Sequence, residues 1–350
     1  MSSVFSQLAE LCPRIAVVGA SGAVGREMLA VLEQYDFPVD KLTLLASKRS
    51  AGQKLSYAGT ELIIEELTKD SFKGIDFALF SAGASVSKEY KDTVIESGCI
   101  MIDNSSAFRM DPQVPLVVPE VNPHALDKHQ GLIANPNCST IQMVVALKPL
   151  YDLARIKRVV VSTYQAASGA GAAAMDELYD QTQDYLSGRQ EELKIEAFAH
   201  QIAFNCIPQI DVFMEDASTK EEWKMVVETK KILEDDDLQV AANCVRVPVL
   251  RCHSECINLE FEQELSLEAA RAAFEKAPGI CLMDDPEQKL YPMPALLAGS
   301  DPVYVGRLRK DNSVEHGLAF WNVSDQLRKG AALNAVQIAE LCIARQHMSS

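Results

Sequence analysis

The feature that most constrains the fold is a glycine-rich segment near the N-terminus, GASGAVG at 19–25, which lies between an apolar run and a helical pattern. Arg14–Val18 (RIAVV) predicts a strand, and Gly25–Gln34 predicts a helix with one apolar face. Small residues let a backbone approach a pyrophosphate, and a helix N-terminus offers N–H groups and positive potential. The spacing is GxxGxxG rather than GxGxxG, and it also fits a plain tight turn. Because strand, loop and helix follow one another, the segment favours a dinucleotide-binding domain.

Short apolar runs alternate with helical patterns through the rest of the first third. Lys41–Ala46, Asp76–Ser81 and Cys99–Ile102 predict strands, and Ser85–Ser97 predicts a helix. Strands that alternate with helices imply a parallel, doubly wound sheet. The fold class is therefore α/β, with an N-terminal domain of Rossmann type.

The second half has a different pattern. Arg155–Ala166, Val245–Val249 and Ile257–Phe261 predict strands, and helical stretches at Gly171–Gly188 and Glu221–Leu233 lie between them. This order indicates an α+β domain with a mixed sheet.

The length of the chain predicts two domains. A chain of 350 residues exceeds the size at which one hydrophobic core stops growing. We expect the first domain to span 1–137 and the second 138–329. The last segment, Gly330–Arg345, is patterned as a helix, and we expect 330–350 to pack back on the first domain.

Composition excludes several classes of protein. The chain has 33 Lys and Arg against 49 Asp and Glu, a net charge of −16, so it is a poor general binder of nucleic acid or anionic membrane. No window has the roughly 18 consecutive apolar residues of a membrane helix. Met1–Pro13 has no signal-peptide pattern. The nine cysteines form no CxxC pair or zinc ladder, which indicates reduced thiols, no metal and a cytoplasmic location, with import into an organelle left open.

The end of the second predicted strand bears on the choice of cofactor. NAD enzymes usually place an acidic residue there for the ribose 2′-hydroxyl. This chain has Ser47, Lys48, Arg49 and Ser50 instead. Two cations and two hydroxyls suit a 2′-phosphate and favour NADP, although a solvated basic turn has the same composition.

A cysteine at a helix start is the most informative residue. Cys138 lies in NPNCST, where Asn135 or Asn137 can cap a helix over Ser139–Leu150. The N–H groups and dipole of a first turn stabilise a thiolate and can form an oxyanion hole. The alternative is a buried structural thiol, which explains most cysteines.

At this point the chain resembles the aspartate-β-semialdehyde dehydrogenase family over nearly its whole length. The matching blocks, in chain order, are GASGAVG, ASKRSAG (46–52), DNSSAFRM (103–110), VPEVN (118–122), NPNCST (135–140), STYQAASGAG (162–171), EEWK (221–224) and RVPVLRCHSE (246–255). The resemblance implies an NADPH-dependent reductive dephosphorylation of β-aspartyl phosphate to aspartate semialdehyde through a cysteine thioester. This reaction belongs to lysine, threonine and methionine biosynthesis.

The resemblance also implies roles for particular residues. It makes Cys138 the nucleophile, His253 the acid/base and Gln165 the residue that orients the acyl group. The implied substrate-binding residues are Arg246 for the α-carboxylate, Glu221 for the amine, Arg109 and Lys224 for phosphate, and Asn137 in the same pocket. The implied cofactor-binding residues are Gly19, Ala20, Ser21, Gly22, Ala23, Val24, Ser47, Arg49, Ser50, Ser81, Ala82, Ser168, Gly169 and Gln326. The family pairs through the second domain, so a homodimer is expected and a tetramer is possible.

Alternatives remain for these residues and for the activity. An arbitrary histidine is more often a satisfied core residue than a catalyst. Glu221 and Lys224 could be an ordinary i,i+3 helix pair. A related reductase acting on N-acetylglutamyl phosphate would share the chemistry, and a non-catalytic cofactor-binding homologue would share the fold. Retention of both Cys138 and His253 argues against the latter.

The cofactor hypothesis is testable at Arg49. We expect Arg49→Glu to raise the KM for NADPH roughly 10- to 100-fold, because a charge-assisted hydrogen bond contributes about 1.5–3 kcal/mol, and to leave the KM for NADH nearly unchanged. Lys41→Glu, the same charge change at the start of that strand, is the control. Equal losses with both cofactors would contradict the hypothesis.

Overall fold

A computed structural model describes the backbone of residues 12–349 and the side chains of 12–345. The absence of a signal peptide was predicted on residues that lie almost wholly outside this range. The strands and helices, in chain order, are β1 (Arg14–Val18), α1 (Ala23–Gln34), β2 (Lys41–Ala46), β3 (Lys54–Tyr57), β4 (Thr60–Glu66), β5 (Phe77–Phe80), α2 (Ala84–Glu96), β6 (Ile100–Asp103), β7 (Leu132–Ala134), α3 (Cys138–Tyr151), β8 (Ile156–Gln165), α4 (Ala172–Leu186), α5 (Lys220–Leu233), β9 (Gln239–Arg246), β10 (His253–Phe261), α6 (Leu267–Lys276), β11 (Ile280–Leu282), α7 (Pro294–Leu297), β12 (Val303–Asp311), β13 (Gly317–Ser324) and α8 (Leu333–Ser349).

The chain forms two compact units. Within the described residues, the first comprises 12–137 and 331–349, and the second comprises Cys138–Gly330. Among the described residues, no helix is both long enough and apolar enough to cross a bilayer.

A seven-stranded sheet forms the first unit, in the order β3-β4-β2-β1-β5-β6-β7. All neighbours are parallel except β3, which is antiparallel to β4. The strands and helices predicted over residues 14–102 lie within two residues of the observed ones, and the doubly wound architecture is confirmed. The β3–β4 pair was not predicted because most of its side chains are polar and exposed, so it has no apolar run.

The last helix belongs to the core of the first unit. Leu333, Val336 and Ile343 of α8 pack in the same cluster as Met28 and Leu32 of α1. The predicted helix over Gly330–Arg345 becomes α-helical at Leu333, after a π-helical turn at Arg328–Ala332.

A six-stranded sheet forms the second unit, in the order β11-β12-β13-β10-β8-β9. The β8–β9 and β11–β12 pairs are parallel and the others antiparallel, so the predicted mixed sheet is confirmed. Helices α3, α5 and α6 pack on one face. The opposite face carries the partly exposed rings of Tyr164 and Trp321, whose centroids are 5.3 Å apart.

Two predicted strands of the second unit had wrong bounds. Val245–Val249 was expected, but β9 is Gln239–Arg246 and ends before Pro248, which has no backbone N–H to donate. Ile257–Phe261 is only the second half of β10, which begins at His253. Both strands mix polar and apolar residues on their buried face, and an apolar-run criterion misses such strands.

Candidate active site

The backbone of the glycine segment after β1 contacts the backbone of Ser81, the residue that follows β5. Gly19 has φ +87°, and a Cβ built on it would lie 2.3 Å from the Ser81 carbonyl oxygen. A Cβ on Gly25 would lie 2.4 Å from the Gly19 carbonyl oxygen. Both positions therefore require glycine. Gly22 caps α1 without a side-chain hydrogen bond at the helix N-terminus.

The basic turn after β2 joins the glycine segment. Ser21 Oγ donates to Ser50 Oγ at 3.2 Å, and the Ser50 N–H donates to the Ser47 carbonyl at 2.8 Å. Lys48 and Arg49 are exposed. Because β2, β1 and β5 are adjacent parallel strands, their three following loops share the carboxyl edge where open α/β sheets bind ligands. The predicted cofactor residues of the first unit, Gly19 to Val24, Ser47, Arg49, Ser50, Ser81 and Ala82, all lie in these loops or in the first turn of α1.

The loop that follows β6 holds Arg109. Its start is fixed by Asp103, which is fully buried and accepts from the hydroxyls of Ser87 at 2.7 Å and Ser105 at 2.6 Å. Arg109 is also buried, and its Nη2 donates to the Asn104 carbonyl at 2.7 Å. The guanidinium is therefore held in place by the backbone of its own loop.

Cys138 is the first residue of α3 and is partly exposed. It differs in this from Cys99 and Cys252, whose thiols are buried so that the pKa of each is raised to about 12. The Cys138 sulfur interacts electrostatically with Arg246. A Cβ on Gly330 would lie 2.8 Å from Cys138 Cβ, so a glycine is needed there, and sequence reasoning gave no signal for it.

Of the two asparagines that could cap the helix at Cys138, Asn135 uses its side chain elsewhere. The Asn135 side chain is buried in a chain of amides instead. Its Nδ2 donates to Asn104 Oδ1 at 2.6 Å, and its Oδ1 accepts from Asn334 Nδ2 at 2.6 Å. Asn135 thus ties the Arg109 loop to α8, while Asn137, also buried, lies directly before the helix.

Three predicted site residues form one row across the second sheet. Arg246 of β9 pairs with Gln165 of β8, and the pairing of Ser254 with Tyr164 puts His253 at the level of Gln165. All three side chains are buried on the face that α3 covers. We call Arg246, Gln165 and His253 the catalytic row.

The residue after Gln165 holds the two ends of this row. The Ala166 N–H donates to His253 Nδ1 at 3.0 Å, and the Ala166 carbonyl accepts from Arg246 Nη1 at 2.6 Å. A Cβ on Gly169 would lie 2.8 Å from Arg246 Nη1 and 3.1 Å from His253 Nε2. Gly169 therefore faces both groups, and Ala166 is a site residue that the sequence did not reveal.

The surroundings of His253 set its charge and its tautomer. Complete burial lowers its pKa well below 6.5, and the Arg246 charge lowers it further, against a smaller opposing effect from the Cys252 backbone. The imidazole is therefore neutral at pH 7. Because Nδ1 accepts the Ala166 N–H, the ring proton lies on Nε2, which has no hydrogen-bond partner among the described residues. His253 offers this N–H to a ligand.

Glu221 and the partly buried Lys224 form a polar cluster with Gln165. Gln165 Nε2 donates to Glu221 Oε1 at 3.2 Å, and Lys224 Nζ donates to Glu221 Oε2 at 3.1 Å and to Asp211 Oδ2 at 2.8 Å. Burial alone would lower the pKa of Lys224, but Glu221 and Asp211 outweigh it and raise that pKa. The i,i+3 pair is therefore real, but it is linked to the catalytic row. Asp211 was not predicted.

Three predicted cofactor residues lie in the second unit. Gln326 Nε2 donates to Ser168 Oγ, and Gln326 Oε1 accepts the Cys252 N–H at 2.9 Å. Ser168 and Gln326 are both buried, and Gly169 directly follows Ser168 in the chain. Across the described range, no three His, Cys, Asp or Glu side chains converge in a way that could hold a metal ion.

Two family models match the chain and define its class. The semialdehyde dehydrogenase NAD binding domain covers 14–129, and the semialdehyde dehydrogenase dimerisation domain covers 147–329.

Individual relatives show which family of semialdehyde dehydrogenases the chain resembles. The aspartate-semialdehyde dehydrogenase of Aquifex aeolicus is 57% identical over 94% of this chain and 98% of its own. A crystal structure of aspartate semialdehyde dehydrogenase II from Vibrio cholerae, complexed with ASA, has a TM-score of 0.92 at 46% identity, covering 95% of this chain and 98% of that one. The Candida albicans enzyme with NADP has a TM-score of 0.73 at 26% identity, covering 94% and 98%. The chain belongs to the aspartate-semialdehyde dehydrogenase family and is an oxidoreductase.

The neutral state of His253 predicts a pH dependence of stability. Its pKa is lower in the folded than in the unfolded chain, so its contribution to stability is complete above about pH 6.5 and is lost as the pH falls below that value. We expect the free energy of unfolding of the natural chain to fall relative to His253→Asn by about 1.4 kcal/mol per pH unit below pH 6. Urea unfolding of both proteins from pH 8 to 5 measures this. Parallel curves would show that His253 is not buried as a neutral group.

Proposed function

We propose that the chain catalyses the NADPH-dependent conversion of β-aspartyl phosphate and a proton to aspartate semialdehyde and phosphate, in the biosynthesis of lysine, threonine and methionine. Membership of the aspartate-semialdehyde dehydrogenase family supports this activity. The observation that carries the mechanism is the position of Cys138, a partly exposed thiol at the start of α3 that interacts with the Arg246 charge.

The first chemical step is acyl transfer to sulfur. The Cys138 thiolate attacks the acyl carbon, the bond from that carbon to the phosphate oxygen breaks, and phosphate leaves. The first-turn N–H groups of α3 can stabilise the oxyanion that forms during the attack. The product is a thioester on Cys138.

The second step reduces the thioester. NADPH, when bound, supplies the hydride. The oxyanion that results accepts the hydrogen bond of His253 Nε2, which is oriented by Ala166 and has no other partner among the described residues. Collapse of this thiohemiacetal releases the aldehyde and restores the thiolate. In the reverse direction the aldehyde adds to the thiol, and phosphate cleaves the thioester after oxidation.

The polar cluster around the catalytic row suits an amino acid substrate. We assign the α-carboxylate to Arg246, since burial lowers the pKa of this guanidinium, and an anionic partner would offset the cost of burying its charge. We assign the ammonium to Glu221, the acyl group to Gln165, and phosphate to Arg109 and Lys224, with Asn137 beside the nucleophile. Two of the three Lys224 N–H donors contact carboxylates, which leaves one for phosphate.

For the cofactor, we propose NADP rather than NAD. Lys48 and Arg49 are exposed beside the Ser21–Ser50 hydrogen bond, at the strand end where a ribose 2′-phosphate would lie. The Candida albicans relative was solved with NADP. The glycine segment and the loops after β2 and β5 would bind the dinucleotide.

We also propose that two chains pair through the open face of the second sheet. Tyr164 and Trp321 are partly exposed there, and Cys256 and Asn258 lie on the same face. The short helix α7 packs against Val323 and Trp321, and Trp321 Nε1 donates to the Pro292 carbonyl at 3.1 Å, so this face is covered only in part. A partly covered sheet face with exposed aromatic side chains is typical of an interface. The family model for this part of the chain is a dimerisation domain. A homodimer is the proposed assembly, a tetramer a further possibility, and a cytoplasmic location suits the absence of disulfides among the described cysteines.

Replacement of the nucleophile tests the mechanism. We expect Cys138→Ala to bind NADPH as the natural chain does and to lose at least about 10⁴-fold in phosphate-dependent oxidation of aspartate semialdehyde, because no thioester can form. Cys281→Ala, a partly exposed thiol on β11, is the matched control and should keep full activity. Activity of Cys138→Ala near the natural value would exclude the covalent mechanism.

The proposed dimer face is tested by charge insertion. We expect Trp321→Glu to shift the protein from dimer to monomer in sedimentation velocity, because a carboxylate in an apolar interface core is not solvated. Leu153→Glu, at an exposed residue after α3, should leave the assembly unchanged. A Trp321→Glu dimer as tight as the natural one would place the interface elsewhere.

A further inference from the structure

A second polar row lies directly beneath the catalytic row of the second sheet. Glu255 of β10 pairs with Thr163 of β8 on one side and with Asn322 of β13 on the other. All three side chains are fully buried. The next row on this face, which includes Ile257, is apolar and also fully buried. The polar row therefore separates the catalytic row from the hydrophobic core.

Hydrogen bonds connect this polar row to the backbone of His253 and to α3, the helix that begins at Cys138. Gln142 lies one helical turn after Cys138 on α3, and its Nε2 donates to Asn322 Oδ1 at 2.9 Å and to the His253 carbonyl at 3.4 Å. Asn322 Nδ2 in turn donates to Glu255 Oε2 at 3.0 Å and, at the longer distance of 3.5 Å, to the Gln142 main-chain carbonyl. Gln142 thus links the helix that begins at Cys138 to the backbone of His253. Glu255 is the last acceptor in this series of hydrogen bonds.

Burial of Glu255 is costly, which calls for a physical reason. Burial raises its pKa to about 8, against smaller effects of Asn322 and Gln142, so the carboxyl is protonated at pH 7. Its Oε1 has no hydrogen-bond partner within the described part of the chain. A methionine of similar volume would fill the same space without burying a carboxyl group. Packing alone therefore does not account for a glutamate at this position.

A hydrogen-bond acceptor at Glu255 fixes the orientation of the Asn322 and Gln142 side-chain amides. With Glu255 Oε2 accepting from Nδ2, Asn322 must present its Oδ1 to Gln142. Gln142 must then direct its Nε2 towards the His253 carbonyl as well. Without the Glu255 acceptor, Asn322 Nδ2 keeps only the long bond to the Gln142 carbonyl. Asn322 can then turn over and present its amide to Gln142, which breaks the connection between α3 and β10.

We propose that Glu255 is a positioning residue that, through Asn322 and Gln142, fixes the first turns of α3 relative to the backbone of His253. The inference rests on the proposed function in that Cys138 and His253 are taken as the reacting pair. Glu255 does not contact substrate. Its role is to keep the sulfur and the imidazole in register for the steps in which both act.

Two substitutions of Glu255 separate this role from packing. Glu255→Gln keeps an oxygen acceptor for Asn322 Nδ2 and stays neutral, so the hydrogen bonds through Asn322 and Gln142 are retained. The variant should therefore retain kcat within about threefold. Glu255→Met keeps the volume and removes the acceptor. We expect it to lower kcat at least tenfold, with KM for aspartate semialdehyde changed less than threefold, because positioning of the reacting groups contributes to the chemical step rather than to binding. Ile257→Val on the same strand, in the apolar row, is the control for a core defect.

The experiment measures kcat, KM, thermal midpoint and the rate of Cys138 alkylation by iodoacetamide from pH 5 to 9 in the four full-length proteins. The proposal predicts that Glu255→Met melts at or above the natural temperature, yet has lower kcat and a displaced pH midpoint of alkylation. Glu255→Gln and Ile257→Val should keep the natural kcat and midpoint. A folded Glu255→Met with natural kcat and alkylation profile would overturn the proposal, and so would a Glu255→Gln as defective as Glu255→Met. If Glu255→Met fails to fold, Asn322→Leu carries the same expectations and the same contradicting results.

The same series separates failure of this inference from failure of the proposed function. Cys138→Ala is assayed in parallel, and retained activity in that variant would exclude the proposed function. The alkylation midpoint reports on the surroundings of Cys138 whether or not the residue is catalytic. Suppose that the alkylation midpoint is displaced in Glu255→Met while Cys138→Ala remains active. Glu255 would then still position α3, but this positioning would not serve catalysis by Cys138.

Discussion

The backbone of Ala166 makes the interactions on which the rest of the site depends. Its N–H fixes the tautomer of His253 and its carbonyl holds the Arg246 guanidinium, so the two groups proposed to handle the reacting oxygen and the substrate carboxylate share one anchor. Backbone groups at the end of a central strand are rigid and cannot be lost by substitution of a side chain. Burial keeps His253 neutral, and the Ala166 N–H places its proton on Nε2. The chemistry proposed for the site follows from this placement.

The side chains on the buried face of the second sheet are arranged in rows of different polarity. The catalytic row holds the groups proposed to meet substrate, the row of Thr163, Glu255 and Asn322 is polar, and the next row is apolar. Helix α3 covers this face and brings Cys138 to it. In an acidic chain such local placement is necessary, since an anionic substrate meets basic residues only where they are positioned individually.

Local patterns were sufficient to predict much of this molecule. The glycine segment, the apolar strands around it and the cysteine at a helix start are short-range signals, and the structure has the predicted elements there. The strands β9 and β10 were placed poorly because polar site residues interrupt their apolar pattern. Ala166, Asp211, Gly330 and Glu255 were missed because their importance depends on contacts between residues far apart in the chain. The sequence left open whether Asn135 or Asn137 caps α3, and the Asn135 amide bonds Asn104 and Asn334, contacts that depend on residues far apart in the chain.

The central claim is that the reaction passes through an acyl group on Cys138, and trapping that group tests it most directly. The enzyme is mixed with aspartate semialdehyde and NADP without phosphate, quenched in acid, digested and analysed by mass spectrometry. The account predicts one aspartyl thioester per active site on the peptide that contains Cys138, formed together with an equal amount of NADPH and removed by added phosphate. NADPH formation without any acylated peptide, or acylation of a different cysteine, would contradict it.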